Sequence, residues 1–144
     1  NKESLMRFSW FNNVALIDAV YISSDESAYR GNKVEYVPTL NYRSGLTYKY
    51  KTWRTILQMN YLSQQYSDAT NTEAVVPNAV VGVIPSYMVW DWSIEYSYKK
   101  ITAVTGINNL MNAMYFTRRA EGYPGPGILP SDARSVFFTL QLTF

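Results

Sequence analysis

Three arginines, Arg118, Arg119 and Arg134, flank a stretch in which Pro124, Pro126 and Pro130 alternate with Gly122, Gly125 and Gly127. A guanidinium is always charged and offers planar, bidentate donors, so three of them on a proline-fixed loop suit an anionic ligand. The same groups can instead stay solvated, or pair with Glu121 or Asp132. Four more charges, Arg43, Arg54, Asp91 and Glu95, pose the same choice between ligand contact and structural pairing. Proton transfer and nucleophilic attack have no carrier. With no His and no Cys, the chain lacks the commonest general base, the commonest metal ligand and any thiolate. An enzyme is not expected, and neither is a metal or other cofactor.

The segments that must position these groups alternate with period 2, as β-strands do. From Tyr87 to Lys99, Met88, Trp90, Trp92, Ile94, Tyr96 and Tyr98 fall on one side, and Val89, Asp91, Ser93, Glu95, Ser97 and Lys99 on the other. Charges and serines cannot face an apolar core unpartnered, and six large apolar groups do not choose water. A lipid-facing exterior around a wet lumen satisfies both sides. The pattern returns in Met6–Leu16, Leu40–Tyr50, Trp53–Leu62 and the closing run Arg134–Phe144. In the last, Val136, Phe138, Leu140, Leu142 and Phe144 form the oily row. It is weakest from Ile101 to Leu110, where Val104 opposes Ile101, Ala103 and Ile107. Phe11 and Phe137 stand on otherwise polar rows.

The connections alternate in length. Those at Lys51-Thr52 and Lys99-Lys100 are tight, whereas 24–37, 67–85 and 113–133 are long. This is the rhythm of an outer-membrane barrel, with short periplasmic turns and long outward loops. Aromatic content of 16%, with 13 Tyr and 4 Trp, suits rings placed at membrane interfaces. Mean hydropathy is only −0.20 and no apolar run reaches the ~20 residues of a membrane helix, as expected of half-polar strands. A Tyr-rich soluble β-sandwich is the alternative, and it predicts solubility without detergent. A net charge of +2 with dispersed Lys and Arg gives nucleic acid no basic stripe to bind. The start, Asn1-Lys-Glu-Ser, reads as the middle of a polar turn rather than a signal peptide, which points to a processed chain or a piece of a longer one. Six strands are too few to close a barrel, since the smallest single-chain bacterial barrels use about eight. Both sheet edges therefore need further strands, from a longer chain or from other copies.

The run Gly106-Ile-Asn-Asn-Leu-Met-Asn112, then Tyr115-Phe116, then Gly122-Tyr-Pro-Gly-Pro-Gly127 and a final strand ending in Phe144 resembles the C-terminus of TonB-dependent outer-membrane receptors. Within them it looks most like the ferric dicitrate receptor branch. The segments 31–38 and 66–72 are similar to that family's loops as well. The resemblance covers nearly the whole chain, as about the last six of roughly 22 strands. It implies an all-β antiparallel transmembrane barrel segment, residues 1–144 being the C-terminal part of a receptor whose plug, TonB box and earlier strands are absent. It further implies active uptake of an iron chelate across the bacterial outer membrane. The partners would be the rest of the barrel and its plug, the TonB complex acting through the missing N-terminal part, outer-membrane lipid and the barrel assembly machinery. That machinery would read Phe144 as its signal, and the lumen charges would contact the plug or one another. The alternative is a passive or structural outer-membrane component without active transport.

Overall fold

The computed structural model describes residues 6–74, 76–122 and 125–144. The Asn1 start and the Tyr123-Pro124 step of the proline-glycine loop lie outside the described residues. Ten strands follow in order: β1 Met6–Leu16, β2 Leu40–Tyr50, β3 Trp53–Leu62, β4 Gln65–Tyr66, β5 Val83–Ile84, β6 Tyr87–Tyr98, β7 Ile101–Asn108, β8 Phe116–Ala120, β9 Gly127–Pro130 and β10 Ser135–Leu142. Six of them make one antiparallel sheet, ordered β1-β2-β3-β6-β7-β10, and the other four make two small hairpins.

Register carries the alternation intact across the wall. Trp10 pairs with Leu46, Leu46 with Leu57, Leu57 with Trp92 and Trp92 with Ile107, so one rung is apolar on five strands. On the opposite face, Arg7 pairs with Lys49, Lys49 with Arg54 and Arg54 with Glu95. A one-residue slip would exchange these faces, which fixes the register. The apolar face is bare: Phe8 is 65% exposed, Trp10 64% and Phe138 68%. Among the described residues the one buried apolar side chain is Ile84, so they form no hydrophobic core of their own. That rules out a self-contained soluble sandwich, whose two inner faces would bury such a row.

Four polar side chains on the apolar face find partners within the sheet. Trp10 Nε1 donates to Ser44 Oγ at 3.0 Å and Tyr42 Oη to Asn12 Oδ1 at 2.7 Å. Trp92 Nε1 donates to Thr55 Oγ1 at 3.0 Å, and Thr105 Oγ1 to the Phe137 carbonyl at 2.9 Å. Hydrocarbon offers no replacement donors or acceptors, so this pairing is what a lipid-facing surface requires. The two misplaced phenylalanines find room over glycine. Phe11 pairs with Gly45 and Phe137 with Gly106, each ring lying where a Cβ would stand.

Strand ends differ slightly from the sequence reading. β6 stops at Tyr98 because Lys99 takes a left-handed φ of 53° in the turn. β7 stops at Asn108, since Asn109 has φ 50° and breaks the extended backbone. β10 covers Ser135–Leu142, although the Thr143 amide still donates to the Lys100 carbonyl at 2.9 Å. The long connections are longer than expected, spanning 17–39, 63–86 and 109–134.

Candidate functional site

All three long connections leave the same end of the sheet and knit into one cap. In the second, β4 pairs with β5, and in the third β8 pairs with β9. The first holds a 3-10 turn at Ser27–Tyr29 and a bridge between Val20 and Lys33. Asparagine amides then join loop to loop by imitating backbone. Asn71 accepts from the Lys33 amide at 2.7 Å and donates to the Lys33 carbonyl at 2.8 Å, while Asn32 Nδ2 reaches the Ala69 carbonyl at 3.0 Å. The Tyr36 amide donates to the Tyr66 carbonyl at 2.9 Å.

Period 2 separates the two adjacent arginines. Arg119 points inward and is 5% exposed, whereas Arg118 is exposed. The Arg119 guanidinium donates to the carbonyls of Ala79 at 2.7 Å and Val83 at 2.8 Å, and packs 5.0 Å from the Phe116 ring centre. Its own carbonyl accepts from Tyr36 Oη at 3.3 Å. One residue thus ties the third loop to the second and the first. A buried cation is costly unless hydrogen-bonded, and two carbonyls meet part of that need; Nε is buried without a partner. The ion pairs considered with Glu121 and Asp132 do not form. Backbone carbonyls hold Arg119 instead, and the ion pair among the described residues is Arg54–Glu95 at 3.9 Å.

Arg118 and Arg119 both line a cavity of about 430 Å³, together with Glu35, Tyr36, Ser67 and Glu121. Arg134 is not among its walls. It sits exposed just before β10, its amide donating to Asn112 Oδ1 at 3.1 Å. Phe144 is fully exposed beyond the last paired residues.

Beneath the cap, a second cavity of about 510 Å³ lies against the polar face, where Asn13, Arg43, Gln58, Asn60 and Asp91 line it. Asn13 pairs with Arg43 and Arg43 with Asn60, making one polar rung. The Oδ1 atoms of Asn41 and Asn60 are buried and unpartnered, two acceptors left on this surface. Sequence reading singled out only the charges here; these amides were visible as polar steps near the strand ends. Asp91 has a structural task, accepting the Asn109 amide at 2.8 Å. Asn109, 3% exposed, in turn donates to the carbonyls of Ala113 at 2.9 Å and Asp132 at 3.2 Å, closing the base of the third loop.

Titration within the cap follows its hydrogen bonds. Partial burial opposes the charge on Asp68, but the hydroxyls of Thr70 and Thr72 and the Thr72 amide outweigh it and hold the carboxyl below its ordinary value. The hydrogen bond from Tyr21 to Glu35, 2.7 Å long, pushes the Tyr21 phenol above its usual range. Among the described residues no three acidic side chains converge to hold a metal. The arrangement offers guanidinium and amide donors around two cavities.

The family model described as TonB dependent receptor-like, beta-barrel, matches residues 4–110. No curated protein sequence matches the chain. Among solved structures, the ferric citrate transporter FecA superposes with a TM-score of 0.88 at 23% identity, covering 95% of this chain and 21% of that one. The ferric yersiniabactin uptake receptor FyuA from Yersinia pestis gives 0.74 at 18% identity, over 95% and 21%. The siderophore receptor PiuA from Acinetobacter baumannii gives 0.65 at 26% identity, over 82% and 16%. The chain spans about a fifth of the length of these receptors.

Proposed function

This chain belongs to the TonB dependent receptor-like β-barrel family, and on that premise we propose that it is the C-terminal wall of an outer-membrane receptor for an iron chelate. The observation that carries the reading is the bare apolar face continuous over six strands, backed by a polar face and ending in two unpaired edges. Water disfavours the first face, and hydrocarbon disfavours open edges, so the sheet suits a larger closed barrel in a membrane. The tight turns then face the periplasm and the knitted loops face outward. The rest of the receptor supplies the earlier strands, the plug and the segment that engages the TonB complex, so transport is active. Two of the solved relatives are named for ferric citrate and ferric yersiniabactin, which supports iron chelates as the cargo class.

Within this reading Arg118 contacts an anionic chelate in the outer cavity, Arg134 adds charge at its approach, and Arg119 lines the floor while holding the loops together. Phe144 continues the oily row by parity and is the group the assembly machinery reads. The test is uptake of radiolabelled ferric citrate and of a siderophore panel by the full-length receptor, in an iron-starved host lacking its own chelate receptors. Expected is uptake of one chelate class that vanishes without TonB and falls roughly tenfold in affinity with Arg118→Gln at unchanged surface level. Entry that survives loss of TonB and of the proton-motive force would replace the reading with a passive barrel.

A further inference from the structure

The charges are sorted along the strands. Among the described residues from the rung Trp10–Leu46–Leu57–Trp92 to the tight turns, six cations, Arg7, Lys49, Lys51, Arg54, Lys99 and Lys100, accompany a single side-chain carboxylate, Glu95. On the loop side of that rung, nine carboxylates outnumber six cations among the described residues. Three of the short-turn cations lie on the polar face, while the three turn lysines lie at the rim.

Two of those rim lysines share one geometry. Lys51 Nζ stands 5.1 Å from the centre of the Tyr50 ring, and Lys99 Nζ 5.3 Å from that of Tyr98. Both lysines adopt left-handed φ, 51° and 53°, so each turn folds its ammonium back over the preceding tyrosine. Tyr50 and Tyr98 belong to the apolar rows, with Met6 and Trp53 beside the first and Ile101 beside the second. The two tyrosines are 41% and 52% exposed. Between them the Trp53 and Tyr96 rings meet at 4.5 Å with their planes tilted by 41°. The Ser97 amide donates to the Thr52 carbonyl at 2.9 Å, which ties the first turn to the strand that leads into the second. Two strand spacings separate the turns, about 10 Å.

We propose that this rim is a binding site for anionic phospholipid headgroups of the periplasmic leaflet, each ammonium-over-tyrosine pair taking one phosphate and Lys100 adding charge between neighbouring lipids. The inference rests on the orientation proposed above. The aromatic belt sets the depth of the rings at the interface, and the cation–π contacts keep each ammonium on the lipid side instead of letting it turn into the lumen. A zwitterionic headgroup cancels its own phosphate charge, so selection is for net-anionic lipid. The three other cations lie on the opposite face and cannot reach these headgroups.

The test uses the full-length receptor, purified in detergent and titrated with phosphatidylglycerol or phosphatidylethanolamine, with retained lipid counted by native mass spectrometry. Expected is a preference for phosphatidylglycerol that weakens with salt, falls roughly fivefold for each of Lys51→Gln, Lys99→Gln and Lys100→Gln, and ignores Arg7→Gln and Lys49→Gln. Tyr50→Leu with Tyr98→Leu should also lower it while leaving the charge unchanged. Equal retention of both lipids, or a preference untouched in the triple lysine variant, overturns the proposal. So does a preference lost in the Arg7 and Lys49 variants alone, which would assign the basic end to an acidic surface inside the barrel. Chelate uptake by the triple variant, measured in parallel, should match wild type; loss of the lipid preference with uptake intact separates failure of this site from failure of the transport reading.

Discussion

A methyl group built on Gly106 would lie 2.6 Å from two ring carbons of Phe137 and 2.7 Å from the Trp92 carbonyl oxygen, closer than real contacts allow. At Gly45 the three nearest obstacles are all carbons of the Phe11 side chain, with no backbone atom among them. Gly106→Ala should therefore cost about 1–3 kcal/mol and Gly45→Ala less. The folded receptor's thermal midpoint, read by its heat-shifted mobility on gels, should fall further for the former. The arginine pair divides along similar lines. Arg119→Ala removes two hydrogen bonds from a buried cation, each worth about 1.5–3 kcal/mol, and strands the carbonyls of Ala79 and Val83. Limited proteolysis should cut the second loop of that variant faster while the membrane band survives. Arg118→Gln should leave the digestion pattern as in wild type. Equal sensitivity of both variants would remove the distinction between a strut and a ligand contact.

At the scale of elements, five of the six wall strands were legible because each repeats two opposite solvent preferences over eight to twelve residues, a signal that needs no knowledge of the partner strand. The sixth, Ile101–Asn108, departs from it with Val104 on the polar face between Glu95 and Thr139, and is a strand that β6 and β10 require as partner rather than one its own pattern announces. The loop hairpins were not legible. β4 and β5 have two residues each, too few for a period, and β8 carries a register shift between Phe116 and Arg118 that blurs its own. The burial of Arg119 depends on carbonyls 36 and 40 positions away, and Asn109 reads as one more polar residue until Asp91 and Asp132 close on it. Loop joints of this kind respond to acid. Asp68 titrates below its unfolded value near 3.9, so its contribution to loop order is complete above that value and is lost as pH falls through the lower folded one. Proteolysis by an acid-active protease should accordingly reach 67–72 below about pH 4 in wild type, and already at pH 6 in Asp68→Asn. A pH-independent pattern in both would sever Asp68 from loop order.

For the whole molecule, the decisive quantity is the exposed edge. β1 pairs only with β2 and β10 only with β7, so each outer edge presents about five amides and five carbonyls in alternation. In hydrocarbon each unmet group costs several kcal/mol, so two open edges cost tens of kcal/mol, far more than the stability of a typical domain. The sheet as it stands is therefore stable in a membrane only when other strands cover both sides. β3 and β6 lie between neighbours on both sides whatever happens at the edges. Hydrogen exchange in detergent separates the cases: in the full-length receptor β1 and β10 should be protected as strongly as β3 and β6, while in the isolated 144-residue chain the outward amides of β1 and β10 should exchange orders of magnitude faster than those of β3. Uniform protection in the isolated chain would mean that copies meet edge to edge and close a barrel by themselves. The wall would then belong to a homo-oligomeric pore, and the receptor reading would fall.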